Sequence, residues 1–265
     1  MLNQWRYFLL ALGFFTRIPT PHYANFQESD LNHAAKYFPL IGMVVGSVGA
    51  ISFYLAHLIL PQIVAVLISM CSTIYLTGAF HEDGLADSAD GLGGGYTREQ
   101  ILTIMQDSRL GTYGAVALFL MLFAKLQILS LLSPVVIPAI LIAGHTLSRL
   151  GAVWLMANLT YTKPAGKAKP LATAITGLDL WFANVVGFMP LVFIIVMLII
   201  ANHPSMIIFK FLLMTLLPVV ASWFWWREKL KTNLGGYTGD TLGAVQQITE
   251  ITFYLGVLVW VGNGL

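Results

Sequence analysis

Charge is what this 265-residue sequence has least of. Only 10% of its residues are Asp, Glu, Lys or Arg, and 57% are hydrophobic. Soluble domains usually carry about 25% charged residues. With a mean hydropathy of +0.78, the composition means an integral membrane protein. Cysteine is nearly absent: Cys71 stands alone, inside an apolar run. An intrachain disulfide framework and a cysteine-based metal site are thereby excluded. The net charge of +2 is too small to suggest a nucleic-acid partner. The first apolar run, 7–15, leads into Thr16-Arg17-Ile18-Pro19 rather than a small-residue cleavage site, so a signal peptide is not evident. A nucleophile elbow, a P-loop and a dinucleotide fingerprint are all missing.

What the chain does have is long apolar runs. Seven of them, at 38–60, 63–80, 114–132, 135–155, 180–201, 206–226 and 244–261, approach the length a bilayer crossing needs, about 20 residues. The run at 7–15 is too short to cross and reads as an interfacial or re-entrant helix. The links at 61–62, 133–134 and 202–205 carry no Lys or Arg. Basic residues gather before the first run (Arg6, Arg17, Lys36) and in the long links (Arg98, Arg109; Lys163, Lys167, Lys169; Arg227, Lys229, Lys231). The positive-inside rule then places every long link in the cytoplasm. The expectation is a single all-α membrane domain over 1–265, a polytopic bundle of about seven spans. It would have an N-terminal segment at 1–37 and cytoplasmic motifs at 81–113 and 227–243. Gly42, Gly46 and Gly49 are spaced for close helix packing.

The densest charge lies in His81-Glu82-Asp83-Gly84-Leu85-Ala86-Asp87-Ser88-Ala89-Asp90-Gly91, with four carboxylates in the nine residues 82–90. On a helix turning 100° per residue, Asp87 lies about 40° from Asp83, and Asp90 about 20° to its other side. Those three share a face, while Glu82 and His81 point elsewhere. Like charges so close repel unless a cation sits among them. Oxygen ligands alone select a hard cation such as Mg²⁺. Glycines at 84, 91 and 93–95 work against a long helix, each costing about 1 kcal/mol relative to alanine. A solvated acidic loop is therefore the competing reading.

Three further groups carry chemistry. Gly235-Gly236-Tyr237-Thr238-Gly239-Asp240-Thr241-Leu242-Gly243 opens onto the last span, where free N–H groups and a helix dipole suit a phosphate. A plain turn with Asp240 or Thr241 as helix cap is the alternative. In Ile104-Met105-Gln106-Asp107-Ser108-Arg109-Leu110-Gly111, the apolar spacing makes an amphipathic surface helix. Arg109 there is either a bidentate phosphate clamp or a lipid-headgroup anchor. Within the spans, His145, Arg149 and Glu250 are costly at membrane depth and so functional by default. Arg149 reads as a phosphate ligand, or as half of an Arg149–Glu250 pair. Lys125 and Lys210 pair or snorkel, and His57 is structural.

Five blocks, 15–19, 38–42, 81–91, 104–111 and 235–244, together resemble the cobalamin synthase family of adenosylcobinamide-GDP ribazoletransferases, in order and over nearly the whole chain. The resemblance implies a Mg²⁺-dependent enzyme that joins adenosylcobinamide-GDP to α-ribazole, or its 5′-phosphate, and releases GMP. It implies Asp83, Asp87, Asp90 and Asp240 as metal ligands, and Gly235, Gly236, Thr238 and Gly239 around the pyrophosphate. Arg109 and Arg149 would add positive charge, and His81 or an aspartate would accept the proton. The implied setting is the bacterial inner membrane, with the active site facing the cytoplasm, lipid and the two substrates as partners, and a homo-oligomer left open. A CDP-alcohol phosphotransferase fits less well. Asp83-Gly84-Leu85-Ala86-Asp87 has the wrong spacing for its motif and lacks the arginine. A divalent-cation transporter would want acids deep in the spans, where only Glu250 qualifies.

Overall fold

The computed structural model describes residues 2–21, 28–162, 175 and 177–262. Among these the chain is helical throughout: α1 (Leu2–Phe15), α2 (Glu28–Ala34), α3 (Phe38–His57), α4 (Gln62–Thr77), α5 (Phe80–Gly94), α6 (Arg98–Met105), α7 (Thr112–Leu131), α8 (Ile137–Asn158), α9 (Gly177–Ile200), α10 (Ser205–Asn233) and α11 (Gly239–Gly262). Six stretches are long and apolar enough to cross a membrane. The first, Asp30–His57, joins α2 to α3 through a 3-10 turn. The others are α7 to α11.

The expected span at 63–80 takes a different form. Its helix, α4, stops at Thr77, because Gly78 and Ala79 both adopt left-handed backbone, with φ of 67° and 59°. The chain then turns by 85° into α5. The 16 residues of α4 reach only about 24 Å, short of a hydrocarbon core of about 30 Å. α4 and α5 together make at most one broken span. We read α4 as its membrane-embedded arm and α5 as lying across the end of the bundle. α1 is likewise too short to cross. Its end returns to α4, where the Arg17 amide donates to the Leu76 carbonyl at 2.8 Å. Lys163, Lys167 and Lys169, counted above for orientation, lie outside the described residues.

Burial sorts the spans. In its most apolar window α8 is 83% buried and α11 67%, against 22% for α7 and α10. So α8 and α11 form the interior and the others face lipid. Lipid removes the hydrophobic drive between helices, so close backbone approach and polar contacts do the holding. Gly42 and Gly46 serve this role: a Cβ at Gly42 would stand 2.3 Å from the His145 carbonyl oxygen. Gly256 does the same for α11 against α10, where a Cβ would stand 2.2 Å from the Met214 carbonyl oxygen.

The buried charges pair across helices. Glu250 on α11 meets Lys125 on α7 at 2.8 Å and His145 on α8 at 3.2 Å. Lys125 also donates to Gln247 at 2.6 Å, and Gln247 donates to Glu82 of α5 at 3.1 Å. This network anchors the inner face of α5 to the bundle. Lys125 is therefore a paired cation, whereas Lys210 is exposed near the start of α10. His57 stacks on Phe53.

Candidate active site

α5 carries the acidic motif as a continuous helix despite its glycines. Three of its four glycines are used for close contact, which outweighs their poor helix propensity. Gly84 lies on the backbone of Asp240, Gly91 on Met105 and Gly93 on the ring of Tyr113. Gly243 of α11 returns the first contact: a Cβ there would stand 3.2 Å from the His81 backbone. Two helices that meet backbone to backbone carry their neighbouring side chains to one place. Those side chains are Asp83 and Asp87 on α5 and Asp240 on the first turn of α11.

Electrostatics register the convergence. The Asp87 carboxyl is pushed up to about 7, first by burial and then by the charges of Asp83, Asp240 and Asp90. Asp83 is exposed, and Asp87 and Asp240 are half-buried, so the group opens to solvent. Among the described residues, no three His, Cys, Asp or Glu side chains form a ready metal cage.

Asp90 has a second engagement. Its two oxygens accept the Gly111 and Gly114 amides, at 2.8 and 2.9 Å. It thus caps α7 from a neighbouring helix and satisfies amides that the helix start leaves unpaired.

The glycine-rich segment is held from outside its own sequence. Residues 160–162 form a parallel bridge with it: the Thr162 amide donates to the Tyr237 carbonyl at 2.7 Å, and the Tyr237 amide to Thr160 at 3.0 Å. A Cβ at Gly236 would stand 2.2 Å from the Thr160 carbonyl oxygen, so that glycine makes room for protein backbone. Gly235 is exposed with φ +70°. Thr238 is the α11 cap. Its amide donates to Thr241 Oγ1 at 2.8 Å, and the Thr241 amide donates back to Thr238 Oγ1 at 3.3 Å. That leaves Asp240 free of the capping role. The 160–162 segment escaped the sequence reading; its only signal was the β-prone triplet Thr160-Tyr161-Thr162.

The remaining candidates are dispersed. Arg109 is 87% exposed and forms a two-pronged pair with Asp107, at 2.6 Å from Nη2. That pairing pulls the Asp107 carboxyl down to about 2. Arg149 is buried, with Nη1 donating to the His145 carbonyl at 3.0 Å; the ion partners of Glu250 are Lys125 and His145. His81 is buried and stacked on Phe15. Burial, then the Arg149 charge, holds its imidazole well below the usual histidine range. α5 thus presents aspartates to solvent and His81 to the interior.

These features define a polytopic helical membrane protein with an oxygen-rich acidic site at one end of its bundle. The family model described as cobalamin-5-phosphate synthase matches residues 7–258. An adenosylcobinamide-GDP ribazoletransferase of Shewanella frigidimarina is 42% identical over 97% of this chain and 95% of its own. Another of Ralstonia pickettii is 42% identical over 98% of both chains, and one of Shewanella oneidensis is 44% identical over 95% of this chain and 93% of its own. No solved structure matches. The chain belongs to the cobalamin-5-phosphate synthase family.

Proposed function

We propose that this chain is an adenosylcobinamide-GDP ribazoletransferase whose active site is the crossing of α5 and α11. Its relatives carry that name over nearly their whole length. The observation that supports the site is the approach of Gly84 to the Asp240 backbone, which sets the aspartates of the acidic and glycine-rich motifs beside one another. In the reaction, the 3′-hydroxyl oxygen of α-ribazole forms a bond to the cobinamide-side phosphorus, leaving the 5′ position free or phosphorylated as the acceptor brings it. The bridging P–O bond breaks, and GMP leaves with the electron pair.

The site suits Mg²⁺. Its donors are all oxygens, and ionising Asp87 beside its neighbours is unfavourable without a cation. Mg²⁺ usually takes one or two carboxylates and completes its shell with water and substrate phosphates, so a prebuilt cage is not required. One or two of Asp83, Asp87 and Asp240 would hold it directly and the others through water, and Asp90 would keep the α7 end in place beside them. Bound there, Mg²⁺ would neutralise charge on the phosphoryl oxygens. The hydroxyl proton would pass to an aspartate of this group, since His81 faces away. Arg149 would act from behind α5 as buried positive charge. The Gly235 amide is taken by the Leu230 carbonyl at 3.1 Å, so the pyrophosphate would meet the start of α11 at Gly239. The site would face the cytoplasm from the bacterial inner membrane.

The test is GMP release by the purified protein in lipid nanodiscs, given Mg²⁺ and adenosylcobinamide-GDP. The reading expects release that depends on α-ribazole and yields adenosylcobalamin in equal amount. Intact adenosylcobinamide-GDP after prolonged incubation with both partners would overturn it.

A further inference from the structure

Beside the acidic site lies a second, polar groove that the reaction scheme above does not use. It is lined by Arg98 at the start of α6, Tyr161 and Thr162 of the bridge, Lys231 and Asn233 at the end of α10, and Gly235. Its accessible volume is about 590 Å³, within the range of small-molecule sites. Arg98 and Lys231 are both exposed, and neither has an acidic partner among the described residues. Two unneutralised cations flanking an aromatic ring and hydroxyls make a site for a phosphate attached to a base and sugar.

The groove approaches the acidic site through one residue. Tyr161 lines the groove, and pairs through backbone and ring with Tyr237, three residues before Asp240. The groove thus adjoins the segment that leads into Asp240.

We propose that this groove holds the guanylate half of the donor substrate, with Arg98 and Lys231 on the phosphate that leaves. This rests on the ribazoletransferase reading. α-Ribazole is uncharged and needs no fixed cation; only its 5′-phosphate would compete for the groove, and that acceptor is an arm of the test. The donor always brings the guanylate phosphate, which gains negative charge as the P–O bond breaks. Cations placed outside the carboxylate cluster can meet that charge without being neutralised by the aspartates.

The experiment compares Arg98→Gln, Lys231→Gln and the double variant with the wild type, in phosphatidylcholine nanodiscs free of anionic lipid. Wild-type GMP release is established first, so failure of the activity itself would show separately. The proposal expects the inhibition constant of added GMP, and the donor KM, to rise tenfold or more in the double variant, with the α-ribazole KM unchanged. Lys210→Gln, at the far end of α10, should change none of these. Three outcomes overturn the proposal. GMP inhibition could be unaltered in the double variant. The KM of α-ribazole 5′-phosphate, offered as acceptor in a parallel series, could rise in place of the donor's, which would assign the groove to the acceptor. The effect could emerge only when phosphatidylglycerol is added, which would make the groove a lipid-headgroup site. Thermal melting of each variant, expected to match the wild type, separates these results from misfolding.

Discussion

Gly84 lies against Asp240 so closely that a Cβ at position 84 would stand 2.6 Å from the Asp240 carbonyl oxygen. That contact sets the distance between the aspartates of α5 and α11. Gly84→Ala should push the helices apart and destabilise the protein by about 1–3 kcal/mol, as overpacking does. Activity should fall further than the folded fraction does, because the carboxylates separate. Thermal melting and turnover of the same preparation check this. Wild-type turnover in Gly84→Ala would show that the contact does not set the site.

Asp87 ties the site to pH. Its carboxyl titrates near 7 rather than at its ordinary 3.8, with Asp83, Asp90 and Asp240 facing it. A carboxyl whose pKa rises on folding favours the fold when protonated. That contribution is complete below the ordinary value and is lost as pH rises through about 7. In Mg²⁺-free buffer, the melting temperature should fall between pH 5.5 and 8, and Asp87→Asn should flatten the slope. Mg²⁺ dependence should run the other way, with the concentration for half-maximal activity dropping over the same interval as the proton leaves. A pH-independent Mg²⁺ requirement would contradict the assignment.

The seven apolar runs were legible because a span imposes about 20 apolar residues whatever it packs against. The break after α4 was not, since Ala79 in left-handed backbone carries no mark in the sequence. The shared face of Asp83, Asp87 and Asp90 follows from helical period alone. Its meeting with Asp240 depends on a contact between residues far apart in the chain. The partners of Glu250 were equally hidden: Lys125 and His145 come from two other helices, and only packing selects them over Arg149.

That selection has a consequence for stability. Lys125→Met leaves Glu250 buried with, among the described residues, only His145 within ion-pair distance, and should cost about 3–5 kcal/mol, the usual effect of breaking a buried pair. Adding Glu250→Gln should recover much of the loss by removing the orphaned charge. Melting temperatures of the single and double variants decide it. An additive double variant would mean that the two residues act independently.

Asp90 and Asp83 should separate in their effects on the fold. Asp90→Ala removes the acceptor of two α7 amides and should cost about 1–2 kcal/mol, as the loss of a helix cap does. Asp83→Ala, at an exposed position that repels Asp87, should leave Mg²⁺-free stability unchanged or raised. Equal destabilisation by both would contradict the cap.

The central claim is that Asp240 belongs to one acidic site with the aspartates of α5. The most direct measurement is single-turnover GMP release by Asp240→Asn at saturating donor and acceptor, over a Mg²⁺ titration. The account predicts a protein that melts like the wild type, a rate lower by roughly 10³-fold, and a raised Mg²⁺ requirement. A rate within tenfold of wild type at an unchanged Mg²⁺ midpoint would show that the glycine-rich segment takes no part in the metal site.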